Sequence, residues 1–254
     1  IAIEIEDQRP NWPAPLTKAW GSVMDDPVAW AKAAVAAGAK LVALTLSSAS
    51  PDGANRNADQ VAETVKQVLA AVSLPLIVYG PGQAEKDNEV LVRVAELAAG
   101  ERLIVAGALA HGQNVIARAP IDLNIQKQLN ILISDMGLPL DRVLMDPTTG
   151  ALGYGLEYTY SVMERLRLAA LQGDSMCQLP IICTAGYEAW RAKESKVADG
   201  VPEAWGDLEA RGITWEVLTA TTLLEAGADI LVMRHPEAVA QVQQAIDRLM
   251  AKVS

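Results

Sequence analysis

Short apolar runs alternate with stretches of helical period along the whole chain. Ile1–Glu6 sets Ile1, Ile3 and Ile5 against Ala2, Glu4 and Glu6, the period-two pattern of a strand. Leu41–Leu46, Leu74–Tyr79, Leu103–Ala106, Asn114–Ala117, Arg142–Met145, Leu179–Cys183 and Asp229–Met233 read as further strands. Helices are predicted over Val28–Ala37, Asp59–Val72, Asn88–Ala99, Leu123–Met136, Glu157–Leu171, Thr214–Ala226 and Pro236–Ala251. Asn57 and Asp122 stand where caps belong, and Gly38, Gly100, Gly137 and Gly227 stand where helices stop. Thr184 to Gly212 reads as one long irregular stretch.

Near-continuous apolar strands, nearly all followed by helices, imply a parallel sheet buried on both faces. Eight such units predict a TIM (β/α)8 barrel, one domain over residues 1–254. An open doubly wound sheet is the alternative, but it would normally carry a glycine fingerprint after the first strand, and none is present. One link breaks the pattern. Only about seven residues, Gly107 to Gln113, separate the fourth and fifth runs, where a parallel crossover takes about a dozen or more. Either the two runs are not neighbouring strands or a stretch near 107–113 is missing; the second is expected, because every other unit obeys the rule. The first residue is Ile1, already in strand alternation, so a missing N-terminal segment is expected as well.

Apolar residues make up 51% of the chain and charged residues 20%, enough for a sizeable core and too ordered a composition for general disorder. A net charge of -10 argues against nucleic acid as a partner. Two cysteines cannot build a disulfide framework or ligate a four-cysteine iron–sulfur cluster alone, which fits a reducing, cytoplasmic setting. No apolar run approaches the roughly 18 residues that cross a bilayer, so no membrane partner is expected. Metal-spaced His/Cys clusters, a phosphate loop, a nucleophile elbow and a lysine at a strand end are all absent from the sequence. The six tryptophans fall outside the strand runs, which suits a contact surface or core anchoring.

In a barrel, function gathers just after each strand. After the sixth run come Asp146, Thr148, Thr149, Gly150, Gly153, Tyr154 and Gly155, where closely spaced glycines would let the backbone approach a flat or anionic ligand. A plain strand-to-helix turn with Asp146 bonded locally is the competing reading. After the fifth run, Arg118 could pair with an anion or with Asp122 or Asp146, and Asn124 offers an amide near the mouth. Ser50-Pro51-Asp52-Gly53 reads as a turn. After the seventh come Thr184, Gly186 and Tyr187, and after the eighth His235, whose place before Pro236 also suits a structural role.

Four segments resemble a known family: Arg118-Ala-Pro-Ile-Asp-Leu-Asn-Ile-Gln-Lys-Gln-Leu-Asn-Ile-Leu-Ile133, the run from Asp146 to Leu168, Gly186-Tyr-Glu-Ala-Trp-Arg-Ala-Lys-Glu194, and Met233-Arg-His-Pro-Glu-Ala-Val239. The chain resembles the small (delta) subunit of the corrinoid iron–sulfur protein of the CO dehydrogenase/acetyl-CoA synthase (acetyl-CoA decarbonylase/synthase) complex. The resemblance implies a barrel similar to pterin-binding methyltransferases. It also implies a non-catalytic subunit that caps a cobalamin (corrinoid) held mainly by a large (gamma) subunit, which also carries the iron–sulfur cluster. The implied partners are that subunit, a methyltetrahydrofolate/tetrahydropterin:corrinoid methyltransferase, and acetyl-CoA synthase/CO dehydrogenase, with the methyl group passing through cobalt in the acetyl-CoA (Wood–Ljungdahl) pathway. Corrinoid contacts would then fall among the mouth residues named above. Two readings compete with this: a barrel that itself binds methyltetrahydrofolate, with Asp52, Asn124 and Asp146 on the pterin edge, and an unrelated barrel enzyme such as an aldolase.

Overall fold

The computed structural model describes residues 1–98, 103–105 and 113–251. Eight parallel strands form one sheet: β1 (Ala2–Glu6), β2 (Leu41–Thr45), β3 (Leu76–Tyr79), β4 (Leu103–Val105), β5 (Asn114–Arg118), β6 (Val143–Asp146), β7 (Ile182–Cys183) and β8 (Ile230–Met233). The order runs β6-β5-β4-β3-β2-β1-β8-β7, and a parallel bridge from Met145 to Ile181 joins β6 to β7, closing the sheet into a barrel.

The fourth and fifth strands are neighbours, with Ile104 opposite Asn114 and Val105 opposite Val115. The possibility that these runs are not adjacent is thereby overturned. The expectation of a missing stretch near 107–113 falls, apart from Gln113, outside the described residues.

The outer layer comprises α1 (Ala14–Trp20), α2 (Pro27–Ala36), α3 (Ala58–Ala71), α4 (Ala84–Leu97), α5 (Leu123–Asp135), α6 (Leu156–Leu171), α7 (Ala185–Ala189), α8 (Leu208–Glu225) and α9 (Pro236–Ala251). Asn57 caps α3 in a reciprocal capping box with Gln60, and the Asp122 carboxylate caps α5 by accepting from the backbone N–H groups of Asn124 and Ile125. The stretch read as irregular contains α7 and the start of α8. The main core lies between sheet and helices, where Ile3, Ile5, Val42 and Leu44 meet Val61, Val65, Val90 and Val94. Trp12, Trp20, Trp30 and Trp190 are buried, so these four anchor the core and do not form a contact surface.

Helix α5 buries two amides beside Leu123, Leu129 and Ile133, which pack against the core. The buried residues of α5 are Gln126 and Asn130, while Ile125, Leu132 and Met136 are exposed. The Gln126 amide donates to the Ala117 carbonyl and to Asn130 Oδ1, and the Asn130 amide donates to the Met176 carbonyl. Asn130 is thus paired through both amide atoms and Gln126 through its NH2 group, while the buried Gln126 Oε1 finds no partner among the described residues.

Candidate functional site

Successive side chains in a strand point to opposite faces, so every second residue enters the barrel lumen. Ala2, Ala43, Ile77, Ile116, Leu144, Ile182 and Val232 meet there as an apolar plug. Two residues further along each of these strands the lumen turns polar: Glu4, Thr45, Tyr79, Arg118, Asp146, Thr184 and Arg234. All seven line one cavity of about 380 Å³ at the C-terminal mouth, with Glu6 and Ser47 a step higher and Tyr187 on the rim.

Glu4 and Arg234 form a two-pronged buried ion pair at 2.8 and 2.6 Å. The guanidinium is held between the Trp12 ring, 4.4 Å from its centroid, and the Tyr187 ring at 4.9 Å. Behind it, the fully buried Glu216 carboxylate accepts from the Arg234 and His235 backbone N–H groups and from the Trp190 indole. Gly186 must be glycine here, since a Cβ would lie 2.7 Å from the Arg234 nitrogen and 2.8 Å from Glu216 Oε1.

Across the mouth, Asp146 is buried and accepts from the Thr148 N–H at 3.0 Å, with Arg118 Nε 3.6 Å away. Burial pushes its carboxyl up to about 6, against the pull of Arg118. Burial likewise raises Glu6, which accepts from the Trp12 indole at 2.9 Å. The Tyr79 hydroxyl and the Thr184 Oγ1 are buried and find no hydrogen-bond partner among the described residues. Such orphaned groups in a concave wall call for a polar ligand or solvent.

Of the residues expected from sequence, Asp146, Arg118, Thr184 and Tyr187 line the cavity. The 146–155 loop does something other than expected. Thr148 Oγ1 donates to the Ala119 carbonyl, Thr149 Oγ1 accepts from the Thr184 N–H, and the Gly150 N–H donates to Thr159 Oγ1. Gly150 sits so close to Gly155 that a Cβ would meet its carbonyl carbon at 2.5 Å, and Gly153 and Gly155 have positive φ. These glycines fold the loop onto itself and the threonine hydroxyls are bonded inside it. Tyr154 is exposed on the loop, its hydroxyl donating to Glu194, but it lies outside the cavity lining. Asn124 is exposed on α5 and also outside it. Gly186 acts through packing. His235 is buried against the Trp190 ring with Nδ1 accepting from the Glu237 N–H, and it does not line the cavity.

Glu4, Glu6, Thr45, Ser47, Tyr79 and Arg234 are polar site residues missed from sequence. The period-two rule, continued past Ala2, Ile77 and Val232, would have found Glu4, Tyr79 and Arg234. Among the described residues, no group of three or more His, Cys, Asp or Glu side chains is placed to hold a metal ion, and no helix is long and apolar enough to cross a membrane. Cys177 and Cys183 are both buried, and burial raises both thiols, which keeps them out of the reactive thiolate form.

The family described as CO dehydrogenase/acetyl-CoA synthase delta subunit matches residues 1–246. The acetyl-CoA decarbonylase/synthase complex subunit delta of Methanopyrus kandleri is 42% identical over 249 residues, covering 92% of this chain and 61% of its own length. That of Archaeoglobus fulgidus is 39% identical over 272 positions, covering 100% and 60%. The chain therefore spans about 60% of the length of these relatives. Among solved structures, dihydropteroate synthase from Thermus thermophilus is similar at 17% identity and a TM-score of 0.56, covering 99% of this chain and 94% of that one. A Yersinia pestis dihydropteroate synthase with a pterine-sulfa conjugate is similar at 14% identity and a TM-score of 0.58, covering 99% and 93%. At such identities the likeness shows the barrel fold alone.

Proposed function

The chain belongs to the CO dehydrogenase/acetyl-CoA synthase delta subunit family, and on that premise we propose that its barrel mouth covers a corrinoid held mainly by a companion large (gamma) subunit. The observation that carries this reading is the polar layer itself: a ring of acceptors and donors, two of its hydroxyls without a partner among the described residues, above an apolar plug.

A corrinoid is a broad macrocycle fringed with amides. The cavity, at about 380 Å³, lies at the small end of the range that takes drug-sized ligands. It is therefore too small to engulf such a ring, and the ring would rest across the mouth. The residues that would meet it are the exposed Arg118 and Tyr187 on the rim, with Tyr154 on the adjoining loop. Below them, Tyr79 and Thr184 offer hydroxyls, and Asp146, titrating near 6, offers either a donor or an acceptor to an amide. When bound, the corrinoid supplies a cobalt that accepts and releases a methyl group. The chain's own contribution is to exclude water and hold polar partners in place. It acts with a methyltetrahydrofolate or tetrahydropterin:corrinoid methyltransferase and with acetyl-CoA synthase/CO dehydrogenase, in the acetyl-CoA (Wood–Ljungdahl) pathway. In this reading residues 1–254 are one barrel domain.

The reading in which the chain itself binds a pterin needs Asp52, Asn124 and Asp146 together. Of the three, only Asp146 lines the cavity; Asp52 accepts from Gln83 on an exposed turn and Asn124 is exposed on α5. Calorimetric titration of the isolated chain with methyltetrahydrofolate is expected to show no saturable heat, and addition of free cobalamin no methyl transfer. Saturable binding with transfer would replace the capping role by a methyltransferase.

A further inference from the structure

The polar layer of the mouth has hydrogen-bonding capacity that the fold does not use. Thr184 stands between β7 and α7, where a threonine hydroxyl would normally cap the helix, yet its side chain makes no cap hydrogen bond. Its backbone N–H donates to Thr149 Oγ1, while its own Oγ1 is buried in the cavity wall without a partner among the described residues. Beside it at the end of β6, Asp146 uses Oδ1 to accept from the Thr148 N–H. Its Oδ2 stands 3.6 Å from Arg118 Nε, beyond hydrogen-bond reach. From β3, the Tyr79 hydroxyl enters the same cavity, also buried and without a partner among the described residues. Burial, with the negative charges of Asp146 and Glu4, pushes that hydroxyl up, so it stays a protonated donor. Two hydroxyls and one carboxylate oxygen can each take a further hydrogen bond.

Charge narrows what satisfies them. An anion drawn to Arg118 would lie against Asp146 and Glu6, and a cation drawn to those carboxylates would lie against Arg118 and Arg234. A neutral group with an acceptor and donors on one small frame escapes both conflicts. A carboxamide is such a group: its oxygen accepts from hydroxyls and its NH2 donates to a carboxylate. Pro81, Leu91 and the Tyr187 ring line the same cavity and offer apolar contact to the carbons that bear it. We propose that this cavity is a receptor for a single neutral carboxamide, held by Thr184, Tyr79 and Asp146. The amide fringe of a corrinoid lying across the mouth is one source and a free small amide is another; only the first rests on the capping reading.

The test titrates the isotope-labelled full chain with propionamide, propionate and propylammonium, followed by backbone-amide NMR. Propionamide should shift the Thr184 and Asp146 signals saturably and bind at least tenfold more tightly than either charged isostere. The Thr184→Val/Tyr79→Phe chain should bind propionamide at least tenfold more weakly, yet melt no lower than wild type, because the two hydroxyls have no partner to lose. Absence of a saturable shift, equal binding of a charged isostere, or undiminished binding by the double variant overturns the proposal. So does a lower melting point of that variant, which would make the hydroxyls part of the fold. Repeating the titration on the chain assembled with its corrinoid-loaded large subunit separates the two sources. Loss of propionamide binding there assigns the cavity to a corrinoid amide. Persistence leaves the amide receptor standing, assigns it to a free amide, and counts against the capping reading.

Discussion

Arg234→Ala is expected to cost about 3–5 kcal/mol of folding stability in urea titration, because removing one partner of a buried ion pair leaves the other charge uncompensated. Glu4 and Arg234 are each only 7% exposed in their side chains, and the Glu4 carboxylate relies on both guanidinium contacts. The variant also loses the stacking of the guanidinium on Trp12 and Tyr187. The double variant Glu4→Leu/Arg234→Met should recover most of the loss, since an apolar pair of similar volume carries no desolvation penalty. A single-variant cost under about 1 kcal/mol would show that water reaches this pair freely and that the polar layer is not a closed wall.

Glu216→Ala should be comparably damaging, about 3–5 kcal/mol, because it strands three buried N–H donors at about 1–3 kcal/mol each before relaxation. It should also flatten the pH dependence of stability. Burial raises Glu216 to about 7 and Asp146 to about 6. An acid whose folded pKa lies above its unfolded value keeps a proton that the unfolded chain releases, so stability falls as pH rises through that window. The wild-type chain should therefore melt higher at pH 5 than at pH 8, each group contributing up to about 1.4 kcal/mol per pH unit between its unfolded and folded values. His235, held low by burial, opposes this trend below about pH 6.5, and exposed carboxylates held low, such as Asp174 beside Lys127 and Asp207 at the α8 cap, oppose it only below about pH 4. Thermal melts from pH 5 to 8 check this. A Glu216→Ala profile parallel to wild type would remove Glu216 as the buried titrating group.

The barrel was legible in the sequence because strands buried on both faces leave near-continuous apolar runs, and the helices between them carry caps and stop glycines. Two helices were not legible. α1 and α7 have seven and five residues, too short for a helical period to emerge, and Trp20, Gly186 and Tyr187 read as loop chemistry. The mouth was half legible. Looking just past each strand found Asp146, Arg118, Thr184 and Tyr187. It missed Glu4 and Glu6, because the Ile1-Ile3-Ile5 alternation marks the face toward the helices and the intervening carboxylates point into the lumen. His235 drew attention by its rarity, while its neighbour Arg234 is the one in the cavity. The glycines of 146–155 mimic a ligand loop because close approach of backbone to backbone, here Gly150 to Gly155, demands the same residue as approach to a ligand.

The most direct test of the capping role is the visible spectrum and retention of corrinoid in the complex of this chain with its large subunit, purified without oxygen, with wild-type and Arg118→Ala/Tyr187→Ala chains compared after desalting. The wild-type complex should hold corrinoid that the isolated chain does not, and the rim variant should lose several-fold of it or shift its cobalt-sensitive bands. Identical spectra and identical retention in the two complexes would place the corrinoid away from this mouth.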